Sequence, residues 1–199
     1  MKQVDYGVFL FRSAYSNSSL ITTFYTKQFG LKKFLFKGGK KKAYNLFPLS
    51  ISELSFYGRQ ESSLLNLTQA TPAVSQTIQF DPIKSTIAFF VAEVIQKCTH
   101  LDDPDPVVFE FITKQIVELN EAEGCRLFPV QFLVLFTEIL GIQPLLQNPE
   151  ASFFNLEDGL IEKHDSLHNK TEKGEHVNLI VAILSNSETK DFGKIDREK

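Results

Sequence analysis

The sequence predicts an α+β protein in which a small five-stranded β-barrel is followed by an α-helical bundle. Apolar residues alternate with a period of two through residues 1–80, and from residue 81 the period changes to 3.6. The change coincides with Asp81-Pro82, a pair that is typical of a helix start. These observations indicate a barrel domain at residues 1–80 and a helical domain at residues 81–199.

Five short segments of the first domain are rich in β-branched and aromatic residues and are separated by turn residues. They are residues 4–12, 20–26, 31–37, 46–57 and 63–68. In the first, we expect Val8 and Leu10 on one face and Phe9 and Phe11 on the other, and Pro48 in the fourth suits an edge strand or a bulge. Five strands in about 70 residues favour a closed or partly open barrel.

Three helices are predicted in the second domain. Asp81-Pro82 and Asp105-Pro106 each combine an N-cap with a proline at the first helical position. The apolar stripe of the first helix comprises Ile87, Phe90, Val91, Val94, Ile95 and Cys98, and that of the second comprises Val108, Phe111, Ile112, Ile116 and Leu119. The third, roughly residues 129–140, is apolar nearly all round and is expected at the buried centre of the bundle.

The last part of the chain carries weaker signals. Residues 150–176 are polar and are expected to be irregular, and a short apolar piece follows at residues 177–184. The chain stops on a charged run, residues 196–199, that has no helix cap. We therefore expect the natural protein to continue beyond residue 199.

Composition argues against several classes of protein. Cys98 and Cys125 lie far apart without a CxxC motif, which argues against a disulfide framework or a zinc ribbon and suits a reducing cytosol. Cys98 is expected in the helix core and Cys125 in a turn. The first residues lack a signal peptide's apolar region, and no apolar run is long enough to span a membrane. We expect a soluble cytoplasmic protein.

Charge is distributed unevenly between the two domains. Residues 1–80 contain ten Lys and Arg but only three acids, so they carry +7, whereas the whole chain carries −3. Between Tyr6 and Ser52 there are eight cations and no acid. A long acid-free run of this kind is typical of a site for a polyanion.

The cations concentrate in residues 37–44, KGGKKKAY, here called the lysine segment. At a protein surface, like charges packed this closely repel each other by roughly a fraction of a kcal/mol per pair. A solvated hairpin tip is one interpretation, and an anion-binding loop is the other. Tyr44 in this segment, with Tyr15 and Tyr57 near strand ends, could stack on nucleic-acid bases or simply lie at a barrel rim.

Motifs for other chemistry are weak. The lysine segment lacks the spacing and the Ser/Thr of a phosphate-binding P-loop. His164 and His168, with Asp165, Glu172 and His176 nearby, could bind a metal, but polar clusters of this kind are usually only solvated. No catalytic triad or carboxylate pair is visible, so we expect neither an enzyme nor a cofactor.

Several segments together resemble the RecO family of bacterial recombination mediators. They are residues 7–12 (GVFLFR), 15–20 (YSNSSL), 24–30 (FYTKQFG), 37–42 (KGGKKK), 49–59 (LSISELSFYGR) and 140–144 (LGIQP). The resemblance covers about residues 4–144 in order and spacing. Some members of the family carry four zinc-binding cysteines after the last motif, whereas residues 145–150 contain none, so we expect no metal. The basic motif has lysines here in place of arginines, which keeps the charge but loses bidentate hydrogen bonding.

The resemblance implies an N-terminal OB-fold, a helical domain and no catalysis. It implies binding of single- and double-stranded DNA, strand annealing, and loading of RecA together with RecR on DNA coated by single-strand-binding protein, in the bacterial cytoplasm at the nucleoid. The DNA-binding residues expected on this basis are Arg12, Lys32, Lys33, Lys37, Gly38, Gly39, Lys40, Lys41, Lys42, Tyr44 and Arg59. Gly38 and Gly39 are expected to let the backbone approach phosphate closely.

Two other functions fit the same residues. One is an OB-fold RNA-binding protein, which equal-length DNA and RNA strands would distinguish from a DNA-binding protein. The other is a protein adaptor whose lysines only solubilise it, which predicts no nucleic-acid binding at low salt. The acidic second half is the expected site of protein docking.

Overall fold

The computed structural model describes residues 2–59, 62–164 and 170–185. Its contacts divide the chain into two compact units, Met1–Cys125 and Arg126–Lys199. The first two long helices therefore belong to the same compact unit as the strands that precede them. The predicted domain boundary at residue 80 stays a prediction, and the charged run at residues 196–199 lies outside the described residues.

Five strands form the predicted barrel. Strand β1 spans Lys2–Ala14, β2 Leu20–Thr26, β3 Gly30–Phe36, β4 Ile51–Tyr57 and β5 Leu65–Pro72. They close in the order β1-β2-β3-β5-β4, with β3 and β5 parallel and the other pairs antiparallel. Strand β4 begins later than predicted, because Pro48 has no N–H to donate and Leu49 has a left-handed φ of 68°.

A β-bulge changes the faces of β1. The register between β1 and β2 shifts between Phe9 and Phe11, so Val8, Phe9 and Leu10 are all buried in succession. Phe9 belongs to the barrel interior, whereas Phe11 is 54% exposed. The prediction that Phe9 and Phe11 share a face is wrong, because one extra residue reverses the alternation beyond it.

Aromatic rings fill the barrel. Phe9 contacts Phe24, Phe24 contacts Phe34 and Phe34 contacts Phe56, all edge-to-face with ring centroids 5.2–5.7 Å apart. Phe29, at the β2–β3 turn, extends the chain of rings to Phe56 at 5.7 Å. Aromatic rings favour this geometry, which adds about 1 kcal/mol per pair to the free energy of burial.

Two helices follow the barrel in the same unit. The short helix α1, Gly39–Lys42, lies between β3 and β4. After the barrel, a 3₁₀ turn at Ile78–Phe80 leads into helix α2, which spans Pro82–Cys98. Helix α3 spans Pro106–Glu121. Asp81 and Asp105 each accept hydrogen bonds from the backbone N–H groups two and three residues later. Both predicted helix starts are therefore confirmed.

The buried stripe of α2 differs from the predicted one. The helix buries Ile87, Ala88, Val91, Ala92 and Ile95. Phe90 is 38% exposed and Cys98 is exposed, so Cys98 is not a core residue. Cys125 lies outside the helices, in the connection that follows α3, and is buried there, which raises the pKa of its thiol. Helix α2 contacts β1, and the small Ala88 and Ala92 take part in its buried stripe in place of Phe90 and Val94.

The α2–α3 connection docks against the start of β3. Leu101 forms a bridge with Leu31, and the Asp102 N–H donates to the Leu31 carbonyl at 3.2 Å. A Cβ added to Gly30 would lie 2.3 Å from the Asp103 carbonyl oxygen, so only glycine fits there. This connection covers part of β3 that β5 does not pair with.

Lys32 lies under this connection. It is 1% exposed, and its ammonium forms an ion pair with the Asp102 carboxylate. Lys32 is therefore a buried structural residue and is not available to bind DNA at the surface, contrary to expectation. The reason is its strand position, since Lys32 shares a face with Phe34 and Phe36, which point into the barrel.

Helix α3 covers part of the outer face of β2. The Tyr25 ring stacks on Phe109 with centroids 6.4 Å apart and is 1% exposed. Burial raises the pKa of Tyr25 to about 12, and the negative charges of Asp105 and Asp103 add to the increase. This part of the barrel surface is therefore closed to ligands.

The second unit contains a small sheet between two helices. Helix α4 spans Phe128–Ile139 and α5 spans Glu175–Ser185. Between them lie β6 at Leu145–Leu146, β7 at Phe153–Asn155, β8 at Leu160–Glu162 and β9 at Thr171–Lys173, in the order β6-β8-β7-β9. The expectation that residues 150–176 are irregular is therefore wrong.

Apolar side chains hold this sheet and α5 together. Their buried cluster comprises Ala151, Ile161, Val177 and Val181, with Phe154 packed against it. Strands of two or three residues carry no visible alternation, which is why the sequence pattern did not reveal them. Helix α4 is also less buried than predicted, since Val130 and Leu133 are 37% and 38% exposed.

We predict that Tyr25→Phe will reduce the loss of stability at alkaline pH. The pKa of tyrosine is ordinarily 10.0, as in the unfolded chain, and that of Tyr25 in the fold is about 12, so stability falls as pH rises between these values. At pH 11 the loss from this group is about 1 kcal/mol. Urea unfolding of both proteins at pH 8 and at pH 11 measures it. An equal loss in both proteins would contradict the prediction.

We predict that Asp102→Asn will lower the free energy of unfolding by about 1–2 kcal/mol, because it removes the charge that compensates a buried ammonium. Asparagine tolerates the left-handed φ of 61° at this position, so the backbone stays unstrained. Asp103→Asn, with the same charge change one residue away, is the control and should leave stability within about 0.5 kcal/mol of the wild type. Equal denaturation midpoints for the two variants would show that the ion pair contributes nothing.

Candidate nucleic-acid interface

Residues 39–42 of the lysine segment form the short helix α1, in place of the predicted loop. Gly38 has a left-handed φ of 69°, and its carbonyl accepts the Lys41 N–H at 3.1 Å. Gly39 is buried, and a Cβ there would lie 3.2 Å from the Phe36 ring. Gly39 is thus a packing residue, which corrects its expected place at the DNA surface. Gly38 is half-buried, and its contact with phosphate stays a prediction.

Four lysines of this segment point to solvent. Lys37, Lys40, Lys41 and Lys42 are all exposed, and the Lys42 ammonium lies 6.0 Å from the Phe36 ring centroid. Within residues 2–59, 62–164 and 170–185, none of the four forms an ion pair with a carboxylate. Their mutual repulsion is therefore uncompensated by neighbouring acids of the described chain.

Two hydrogen bonds tie the segment to the end of β1. The Arg12 guanidinium donates from Nη1 to the Ala43 carbonyl at 3.0 Å, and the Lys40 N–H donates to the Ser18 carbonyl at 3.2 Å. Arg12 and the β1–β2 turn are thereby held beside the lysines. Tyr15 in that turn is 60% exposed and Tyr44 is 89% exposed, so both rings are accessible.

Lys33 lies on the neighbouring outer face of the barrel. The strand register aligns Phe11 with Thr23 and Thr23 with Lys33 across β1, β2 and β3. Lys33 is exposed, as expected, because it alternates with the inward Phe34. This row extends the basic surface beyond the lysine segment.

Arg59 follows β4, whose last residue Tyr57 pairs with Lys2 at the start of β1. Through Asn66 on β5, Tyr57 is also aligned with Leu35, the next-to-last residue of β3. The lysine segment is tied to Arg12 near the other end of β1, so the register along β1 separates it from Arg59. The residues after Arg59, Gln60 and Glu61, lie outside the described residues.

The two acids that the structure describes within residues 2–59, Asp5 and Glu53, lie away from this surface. Asp5 is 2% exposed, and its carboxylate accepts the N–H groups of Tyr6 at 2.8 Å and Gln28 at 3.0 Å. Burial raises the pKa of Asp5, and these hydrogen bonds partly lower it. Glu53 is exposed on β4 but pairs with Tyr6, near the start of β1. Neither of these two acids lies at the end of β1 that carries the lysine segment.

His164 and His176 are the histidines near the end of the chain that the structure describes. Among the described residues, no group of three or more His, Cys, Asp and Glu side chains is placed to hold a metal ion. The His176 Nε2 atom lies 3.6 Å from a carboxylate oxygen of Glu172. Asp165 and His168 lie outside the described residues. The described part of the chain also has no helix that is long and apolar enough to span a membrane.

Two protein-family models match the chain. The model described as Recombination protein O N terminal matches residues 1–75, which include the whole barrel. The model described as Recombination protein O C terminal matches residues 79–193. Together they cover the chain from the first strand to beyond α5.

Curated relatives from several bacteria agree with these matches. The DNA repair protein RecO of Flavobacterium psychrophilum is 28% identical over 196 residues, which cover 92% of this chain and 81% of that protein. RecO of Phocaeicola vulgatus is 28% identical over 194 residues, covering 92% and 80%. RecO of Bacillus subtilis is 27% identical over 145 residues, covering 71% and 57%.

The matches confirm the family expected from the sequence motifs and, with the closed five-stranded barrel, the N-terminal OB-fold. They also account for the role in DNA repair and recombination. The chain belongs to the RecO family of DNA repair proteins.

Proposed function

We propose that the barrel binds DNA through the lysine segment and that the protein works without catalysis as a recombination mediator. The observation that carries the proposal is the grouping of Lys37, Lys40, Lys41 and Lys42 with Arg12 at one end of the barrel. Their repulsion costs stability, and a phosphate backbone offsets that cost. Contacts to phosphates follow backbone charge and do not read the base sequence.

Strand annealing follows from the same charges. Two complementary single strands repel each other, and cations that neutralise their phosphates lower the barrier to pairing. The protein thus brings strands together by screening their charge. Duplex DNA carries the same backbone and binds to the same surface with less contribution from the exposed tyrosines, since its bases are stacked on one another.

The acidic part of the chain serves a different role in this proposal. Residues 81–199 carry −10 against +7 for residues 1–80, so they repel DNA. They are the proposed docking surface for the protein partners RecR and single-strand-binding protein. With these partners in the cytoplasm, the protein helps RecA to load on coated DNA at the nucleoid.

We predict that changing Lys40, Lys41 and Lys42 together to Glu will abolish binding to single-stranded DNA and the annealing of complementary strands coated with single-strand-binding protein. The thermal melt should change little, because the three side chains are exposed. Fluorescence anisotropy measures the binding, and the appearance of duplex measures the annealing.

The matched control changes Lys2, Lys27 and Lys114 to Glu, which are exposed and lie outside the lysine segment. This control has the same net charge as the variant of Lys40, Lys41 and Lys42. Because its lysine segment is intact, it should retain most of the binding and annealing. If both triple variants lose binding equally, the loss is caused by the change in net charge, and this result would contradict a binding site at the lysine segment.

We predict a clear dependence of binding on salt. If four to six cations contact a single strand, the logarithm of the binding constant should fall against the logarithm of salt with a slope of about −3 to −4. Lys37→Ala or Lys33→Ala should each reduce the slope by about 0.7 for all base sequences alike. Tyr44→Ala should weaken binding by about 1–3 kcal/mol without changing the slope, since stacking releases no counterions. A wild-type slope near zero would refute the proposed interface.

A further inference from the structure

Phe11 is a large apolar side chain that the fold presents to solvent. The bulge in β1 buries Val8, Phe9 and Leu10 and leaves Phe11 54% exposed. Full burial of a phenylalanine side chain is favourable, so an exposed one forgoes stability that an inward orientation would supply. Sequence alternation alone places Phe11 inside the barrel, and only the bulge turns it outward.

The surroundings of Phe11 are basic and adjoin the proposed interface. Phe11 aligns with Thr23 and Lys33 across the outer face of β1, β2 and β3. The next residue, Arg12, donates to the carbonyl of Ala43, which directly precedes Tyr44. Phe11 directly precedes Arg12, whose side chain holds the lysine segment beside the end of β1. On the outer face it lies in a row with Lys33, and Thr23 between them is 4% exposed.

The face around Phe11 has a boundary on its far side. Tyr25 is buried against Phe109, and the α2–α3 connection with Asp102 and Asp103 covers the start of β3. These acids and this cover close the outer face beyond the row of Phe11 and Lys33. A strand that enters from the lysine segment can therefore reach Phe11 and Lys33 but cannot continue along β3.

We infer that Phe11 stacks on an unpaired base and extends the interface from the lysine segment onto the outer face of the barrel. Phenylalanine has no hydrogen-bonding group, so it contributes only stacking, which every base accepts and which needs a base that is free of its own neighbours. Lysines attract single and double strands alike, whereas Phe11 favours the single strand. This inference rests on the proposed binding of nucleic acid and assigns a residue that sets strand preference.

A tryptophan at position 11 tests this directly. The chain contains no tryptophan, so Phe11→Trp provides the protein's sole indole fluorophore. Addition of oligothymidylate should quench the indole emission, because the ring stacks on a base, and a duplex of equal length at saturating concentration should leave the emission nearly unchanged. Tyr6→Trp is the control. Tyr6 lies on the same strand and is 46% exposed, but it pairs with Glu53 near the other end of β1, so its emission should not respond to either ligand.

Phe11→Ala provides a second measurement. It should weaken binding of oligothymidylate about ten-fold or more, leave the salt slope unchanged and leave duplex affinity within about two-fold. Unchanged single-strand affinity in Phe11→Ala together with unquenched emission in Phe11→Trp would overturn the inference, and equal quenching by the duplex would overturn the strand preference. If the inference about Phe11 is overturned but the variant of Lys40, Lys41 and Lys42 still loses binding, the proposed function stands without Phe11. A wild-type protein that binds no strand would refute both.

Discussion

The chain of aromatic contacts inside the barrel is the interaction on which the rest of the structure depends. Phe9, Phe24, Phe34 and Phe56 come from four different strands and meet edge-to-face at the centre. Because side chains alternate along a strand, the inward position of these rings decides the orientation of their neighbours. Lys33 points outward for this reason. Lys32 is directed inward, where it needs the carboxylate of Asp102 from the α2–α3 connection.

The same constraint shapes the electrostatics of the surface. A buried charge is tolerated only when it is paired or hydrogen-bonded, and this requirement is met by Lys32 and Asp5, the two buried charged residues described in the barrel. Lys32 is paired with Asp102, and Asp5 accepts two backbone N–H groups. Burial of Asp5 removes one of the few acids of this half from the surface. Asp5 lies near the start of β1, whereas the lysine segment is tied to Arg12 near the end of that strand.

The helices of the first unit decide which part of the barrel remains open. Helix α3 covers the outer face of β2 at Tyr25, and the α2–α3 connection covers the start of β3. The lysines and Tyr44 of the lysine segment, the β1–β2 turn, Phe11 and Lys33 remain exposed. The proposed path of a DNA strand therefore follows from packing within this unit as much as from the lysines themselves.

The sequence by itself determined the barrel, the starts of α2 and α3, the family and the basic character of the first half. These features are local, since a period of two, an Asp-Pro cap and an acid-free run each lie within a continuous segment. Alternation with Phe34 could also have identified Lys32 as an inward residue. Only the tertiary structure decided the partner of Lys32, the outward turn of Phe11, the rotated stripe of α2 and the short strands β6–β9. Each of these depends on contacts between residues that are distant in the chain, such as Leu31 with Leu101, and no local pattern records such contacts.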